Sequence, residues 1–174
     1  MLRRIARSLG CATVVSVLVP AAAPAAFVDP RHAAPLHTAV FPIDGAHDLG
    51  RSPANMFGGG RGHLGQDMFA DCGTPVLAAR GGTIRHAGYE GAAGNYIVVH
   101  TGTGEDNVYM HLLNTPHFAE GEQVETGRRI GSVGRTGDAD GCHLHFELWT
   151  APGWYQGGHP IDPLPRLRQW DGWS

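Results

Sequence analysis

The feature that most constrains this chain is its punctuation. Short apolar or alternating runs recur at residues 75–79, 83–87, 96–100, 108–112, 129–133 and 144–149, with Gly, Asp or Asn between most of them. Alternation sends successive side chains to opposite faces, so each run reads as a strand with one face to bury. No stretch carries a convincing helical period. The pattern predicts an antiparallel all-β domain. Gly (26) and Pro (12) are abundant and charged residues make up only 17%, a profile that suits many turns and argues against long helices. At 174 residues the chain is about one domain, large enough to bury roughly 70% of the surface it would expose unfolded.

The first 25 residues read differently. Arg3, Arg4 and Arg7 precede a short apolar run and then the small residues 21–26, the layout of a secretory signal peptide. The apolar run is too short to span a bilayer, which takes roughly 20 residues, and Cys11 sits too early, with no apolar run before it, for a lipoprotein site. Residues 26–40 form a patternless, extended lead-in, residues 41–165 the domain, and residues 166–174 a tail. The whole stretch from 152 onward is expected to pack back as irregular structure.

Charge and cysteine content narrow the function. Every basic residue is Arg, which excludes lysine Schiff-base chemistry. Loss of residues 1–25 leaves ten Arg against sixteen Asp and Glu, a surface that favours neither nucleic acid nor an anionic membrane. The same loss leaves two cysteines, Cys72 and Cys142, an even number expected to pair in an oxidising compartment. The protein is expected outside the cytoplasm, secreted or in the cell envelope, acting as a monomer.

Three clusters carry chemistry: His63-Leu-Gly-Gln-Asp67, Tyr109-Met-His111-Leu112 and His143-Leu-His145-Phe-Glu147. On a strand, His143 and His145 stand side by side with Leu144 turned away. Imidazole and carboxylate are good zinc ligands, and a catalytic zinc site keeps three protein ligands and one open position. His63, Asp67 and one of His143 and His145 satisfy that count. Near-matches to other motifs fail on context. Thr136-Gly-Asp138-Ala-Asp140-Gly141 imitates a calcium loop but starts with Thr and lies between strands. Gly60-Arg-Gly-His-Leu-Gly65 imitates a dinucleotide loop but opens no helix. The helical H-E-x-x-H of other zinc proteases is missing.

Taken together, HLGQD at 63–67, GTPV at 73–76, GNYIVVH at 94–100, YMHL at 109–112, GRRIGSVGRTG at 127–137 and HLHFELW at 143–149 resemble the lysostaphin-like zinc metallopeptidases, which are bacterial peptidoglycan endopeptidases. The resemblance spans residues 41–163. It implies two packed antiparallel β-sheets, a β-sandwich of the duplicated-hybrid-motif type, with one Zn2+ in a groove. It implies His63, Asp67 and His145 as metal ligands and His111 and His143 as catalytic histidines, and peptidoglycan peptides as the partner. The D-Ala–diamino acid cross-link is the favoured bond over a polyglycine bridge. A non-catalytic wall-binding protein on the same fold is the alternative. Residues 138–142 and 114–120 depart from the family pattern and are expected to line the groove, while a Cys72–Cys142 bridge would clamp the two ligand segments together. Tyr109 is weighed between a hydrogen bond at the site and strand packing, and Glu147 reads as a strand residue or partner to the site.

Overall fold

The computed structural model describes residues 38–60 and 62–172. The expected signal segment, 1–25, and the lead-in as far as residue 37 lie outside them. The described residues form strands β1 (Asp48–Leu49), β2 (Gln66–Phe69), β3 (Pro75–Leu77), β4 (Gly82–Glu90), β5 (Gly94–Thr101), β6 (Asp106–Leu112), β7 (Gln123–Val124), β8 (Arg129–Ser132), β9 (His143–Trp149) and β10 (Pro160–Ile161), followed by helix α1 (Leu164–Asp171). Each of the six runs seen in the sequence is a strand. The antiparallel all-β expectation holds, with unequal layers. Eight strands make one sheet in the order β1-β2-β9-β6-β5-β4-β7, with β10 on β9, and β3 pairs with β8 as a two-stranded second sheet.

Alternation along β9 sets the architecture. Leu144, Phe146 and Leu148 enter the main core with Ile84, Ile97 and Tyr109 from the neighbouring strands. Val76 of β3 and Ile130 of β8 belong to the same cluster, so the small sheet covers the inner face of the large one. His143, His145, Glu147 and Trp149 take the opposite face, and loops bury them as well.

The short strands β1, β2, β7 and β10 and the tail helix escaped the sequence reading. Strand β2 reads Gln-Asp-Met-Phe, too short and polar to announce itself; only its pairing with β9 defines it. The tail is the correction. Residues 164–171 are not irregular but a helix with Pro in its first turn. Leu164, Leu167 and Trp170 are buried on one side of it, and Trp170 packs edge-on against Phe146 at 6.3 Å. Arg166 grips Glu105 through two hydrogen bonds of 2.8 and 2.9 Å. Eight residues give a 3.6 period barely two turns in which to show itself, so the helix is made by tertiary packing.

Candidate metal centre

The site is assembled by one strand pair. Strands β2 and β9 run antiparallel with Asp67 opposite His145 and Phe69 opposite His143. Just past that pairing, Cys72 and Cys142 form a disulfide with Cα atoms 5.2 Å apart. The bridge closes a separation of 70 residues, worth about 4 kcal/mol in the chain-entropy model, and it clamps the strands that carry Asp67 and His145. His63 lies on the loop before β2. Gly65 lets that loop approach: a Cβ there would press on the Phe146 carbonyl and His145 Nε2.

Two imidazoles converge on one carboxylate oxygen. His63 Nε2 is 3.1 Å from Asp67 Oδ1, and His145 Nδ1 is 2.9 Å from the same atom. The donor atoms of His63, Asp67 and His145 all lie within 4.8 Å of one another. The remote nitrogens are spoken for. His63 Nδ1 faces the Met56 carbonyl at 3.0 Å, and His145 Nε2 faces Glu147 Oε1 at 3.0 Å. With Nδ1 of His63 committed to a carbonyl and Nε2 of His145 to a carboxylate, the nitrogens left facing Asp67 are Nε2 of His63 and Nδ1 of His145, where a metal ion can replace the proton that otherwise bonds the carboxylate. Lone pairs facing a carboxylate repel unless a proton or a cation lies between. This donor set fits zinc: two imidazole nitrogens and one carboxylate oxygen, fixed by outer hydrogen bonds, as in three-ligand catalytic sites.

The expected catalytic histidines are brought to the same place, one of them by an irregularity. Along β6, Val108 and Met110 pair with Glu147 and His145, on the site's face, whereas Tyr109 is in the core. Plain alternation would send His111 inward with Tyr109. The β5–β6 register shifts between Asn95 and Ile97, gaining one residue on β6, and His111 adopts φ 62°. This bulge re-aims the side chain. The His111 ring lies 4.7 Å from that of His143 and 5.9 Å from that of His145. His111 Nδ1 donates to the Thr136 carbonyl at 2.8 Å and His143 Nδ1 to the Gly141 carbonyl at 2.9 Å. Each therefore keeps Nε2 for chemistry, and that of His143 stands 3.7 Å from Asp67 Oδ1.

The electrostatics follow. Burial opposes ionisation of Asp67, but hydrogen bonds from His145 and His63 overcome it and hold the carboxyl well below the usual range. Burial likewise disfavours a charged His145, yet Asp67 and Glu147 outweigh it and raise its pKa to about 9 without a metal. Burial dominates at His111, with the neighbouring His143 adding to it, and lowers its pKa to about 4. His111 is thus a neutral proton acceptor at neutral pH.

All five expected site residues line a single cleft of about 390 Å³, together with Asp138, Asp140 and Gly141. The expectation for residues 138–142 holds in that measure, and that for 114–120 does not. Thr115 bonds Asn95 and Phe118 packs on the core, which draws the segment away from the cleft. Tyr109 also turns away; fully buried, it accepts a hydrogen bond from the Ala79 amide at 2.8 Å. What the sequence could not show is the set of backbone carbonyls of Met56, Thr136 and Gly141, because no side chain encodes them.

The sequence model described as Peptidase family M23 matches residues 61–163. The chain belongs to that family. Its fold is lysostaphin-like: the catalytic domain of lysostaphin from Staphylococcus simulans superposes with a TM-score of 0.58 at 32% identity, over 71% of this chain and 92% of that one. A zinc-containing peptidase from Vibrio cholerae gives 0.60 at 26% identity, over 72% and 39%. The DD-carboxypeptidase/endopeptidase Mpg of Neisseria meningitidis is 36% identical over 116 residues, 63% of this chain and 25% of that protein. The chain spans a quarter or less of the length of this and other curated relatives that it matches. In this M23 chain His63, Asp67 and His145 form a group placed closely enough to hold a metal ion.

Proposed function

We propose that this chain is a zinc-dependent endopeptidase, exported to the cell envelope, that hydrolyses peptide bonds in the stem peptides or cross-links of peptidoglycan. The observation that carries it is the orientation of four histidines. Each has one ring nitrogen tied to a carbonyl or carboxylate, so that the other faces the cleft. A non-catalytic wall-binding protein needs no such arrangement at His111 and His143. The disulfide supports an oxidising compartment, and relatives named as peptidoglycan DD-endopeptidases support the substrate class.

His63, Asp67 and His145 would hold the ion, which when bound polarises a scissile carbonyl and acidifies water. His111, neutral and buried, accepts a proton at Nε2 while Thr136 fixes its Nδ1–H. His143, whose ring lies 4.7 Å from that of His111, supports the negative charge that develops on the carbonyl oxygen when its ring carries a second proton, donating from Nε2–H while Nδ1–H stays on the Gly141 carbonyl. The imidazolium formed at His111 then returns its proton to the leaving amine. The cross-link between D-Ala and a diamino acid is the favoured bond, in keeping with the relatives named as DD-endopeptidases.

The test is digestion of purified peptidoglycan with zinc-loaded protein and mass analysis of the fragments. New amino groups and a defined cleaved bond are expected. His143→Ala should keep its zinc and lose about 10²- to 10⁴-fold in turnover. Zinc-loaded wild-type protein that releases no amino groups from the wall would favour the binding-protein alternative.

A further inference from the structure

The metal-bearing face of the large sheet continues well beyond the metal. From His145 it runs along β9 through Glu147 to Trp149, a step of roughly 13 Å. There Val98, Val108 and Trp149 form a second buried apolar cluster, with Tyr96, Met110 and Trp154 packed against it. Met110 sits opposite His145 and also lines the cleft. The cleft floor and this apolar surface are therefore continuous. Their outer edge is the loop between β9 and β10, which carries Trp154 and Tyr155.

That loop is fixed from below by a carboxylate fully withdrawn from water. Asp106 Oδ2 accepts hydrogen bonds from the Trp154 amide and from Arg85 Nη1, both at 2.8 Å, and its side chain is 0% exposed. The same Arg85 nitrogen donates to the Pro152 carbonyl at 2.9 Å. Gly153 is required for this approach: its φ is +111°, and a Cβ there would collide with the Arg85 guanidinium and the Asp106 carboxylate. The Gly153 carbonyl accepts from the amides of Gln156 and Gly158 at 3.1 and 3.2 Å, which closes the loop on itself. A buried ion pair thus serves to position a surface loop.

Of the two rings the loop displays, Trp154 packs on the apolar cluster, while Tyr155 touches Trp149 at 5.5 Å between ring centres and turns most of its surface to solvent. Tyr155 is 71% exposed, although its φ of 48° is one that a bulky side chain avoids. Strained backbone of this kind persists where surroundings impose it, and it clusters at binding sites. The Tyr155 ring meets Trp154 edge-on at 4.7 Å, and Trp154 in turn lies 5.5 Å from Tyr96.

We propose that Tyr96, Trp154 and Tyr155 form a platform for the sugar strand to which the stem peptides are attached. The proposal rests on the peptidoglycan reading of the cleft. Ring faces with polar rims fit the C–H faces and hydroxyls of neutral sugars. A peptide fits less well, because β5, β6 and β9 are each paired on both sides and offer no open edge for main-chain hydrogen bonds. An anionic wall polymer fits less well still, since acidic residues outnumber Arg, 16 to 13. Sugar and peptide are covalently joined in the wall, so adjacent subsites for both would be engaged by one substrate.

The test pairs two probes with the zinc-loaded full chain: uncharged β-1,4-linked N-acetylglucosamine oligosaccharides as the glycan, and a sugar-free cross-linked stem peptide. Titration of tryptophan fluorescence with the glycan should show saturable binding. Tyr155→Asn, which removes the ring but tolerates the left-handed backbone, should bind about fivefold more weakly, and Tyr155→Phe should bind like wild type. Absence of glycan binding by wild type, or equal binding by Tyr155→Asn, overturns the platform. Hydrolysis of the sugar-free peptide tests the cleft separately: its failure alongside intact glycan binding would count against the peptidase reading and leave the platform standing.

Discussion

Two carboxylates on the same face of the large sheet, Asp67 on β2 and Asp106 on β6, are each met by histidine at hydrogen-bond distance, and they have opposite uses. Asp106 has His100 Nδ1 at 2.7 Å, Arg85 at 2.8 Å and the Trp154 amide at 2.8 Å, with no exposure. Its charge is matched by a guanidinium that never loses its proton, so a divalent cation approaching it would meet a fixed positive charge. Asp67 is met only by imidazoles, and its side chain remains 13% exposed at the cleft. Its positive partners are exchangeable protons, which a metal can displace. The difference teaches that a carboxylate–histidine cluster is a metal site when its countercharge can leave.

The sharpest way to break the comparison is to remove one member from each cluster. His145→Ala should abolish metal binding and with it all hydrolysis, because two remaining ligands do not make a site. Metal analysis after dialysis checks this, and full zinc occupancy in that variant would refute the ligand assignment. Asp106→Asn should behave in the opposite way. It leaves Arg85, only 20% exposed, without its anion, and breaking a buried pair costs about 3–5 kcal/mol. Thermal unfolding should shift down markedly while zinc stoichiometry stays at the wild-type value. A variant that lost zinc but kept its stability would show that Asp106 belongs to the metal site after all.

A smaller effect sharpens the role of the outer partner. Glu147 is 3% exposed and divides its carboxylate between His145 Nε2 and the Trp149 indole N–H, the latter at 2.6 Å. It holds the tautomer that leaves His145 Nδ1 for the metal. Glu147→Gln should weaken zinc affinity about 10- to 100-fold, measured by competition with a chelating dye, with little loss in folding stability. Unchanged affinity would reduce Glu147 to a packing residue.

These contrasts also explain how much could be read from the chain. His63 and Asp67 were legible because ligand types at fixed spacing leave few arrangements, although spacing alone left His143 and His145 open as the third ligand and only the family resemblance chose His145; the six strand runs were legible because alternation is local. The divergent fates of the histidines were less so. His100 ends an apolar strand just as His111 sits near the end of one, yet His100 joins a structural brace. His111 reaches the cleft only through a one-residue bulge. A bulge depends on the register of two strands, which neither strand's sequence states alone. Helix α1 and strand β2 were missed for the same reason: their partners, not their own periods, make them.

The finest test uses the exchangeable proton itself. In the metal-free protein, His145 has its pKa raised from 6.5 to about 9 because Asp67 and Glu147 together outweigh the burial that would otherwise lower it. The metal must take Nδ1 in place of that proton. Zinc affinity should therefore rise by up to tenfold per pH unit between about 6.5 and 9, with one proton released from His145, and this dependence should flatten above 9. Folding of the metal-free protein should run the other way. A group whose pKa is higher folded than unfolded contributes stability below its unfolded pKa, and that stability is lost as pH rises through the folded value. So the metal-free protein should lose stability from pH 6.5 to 9 through this group while its zinc affinity grows. Proton release can be read from calorimetry in buffers of different ionisation enthalpy, and stability from urea titrations of chelator-treated protein. Asp106 provides the internal control: its fixed guanidinium partner gives zinc no proton to displace, so Asp106→Asn should leave the proton count per zinc unchanged. A change in that count would mean that the two clusters are coupled through the sheet and that the countercharge rule is incomplete.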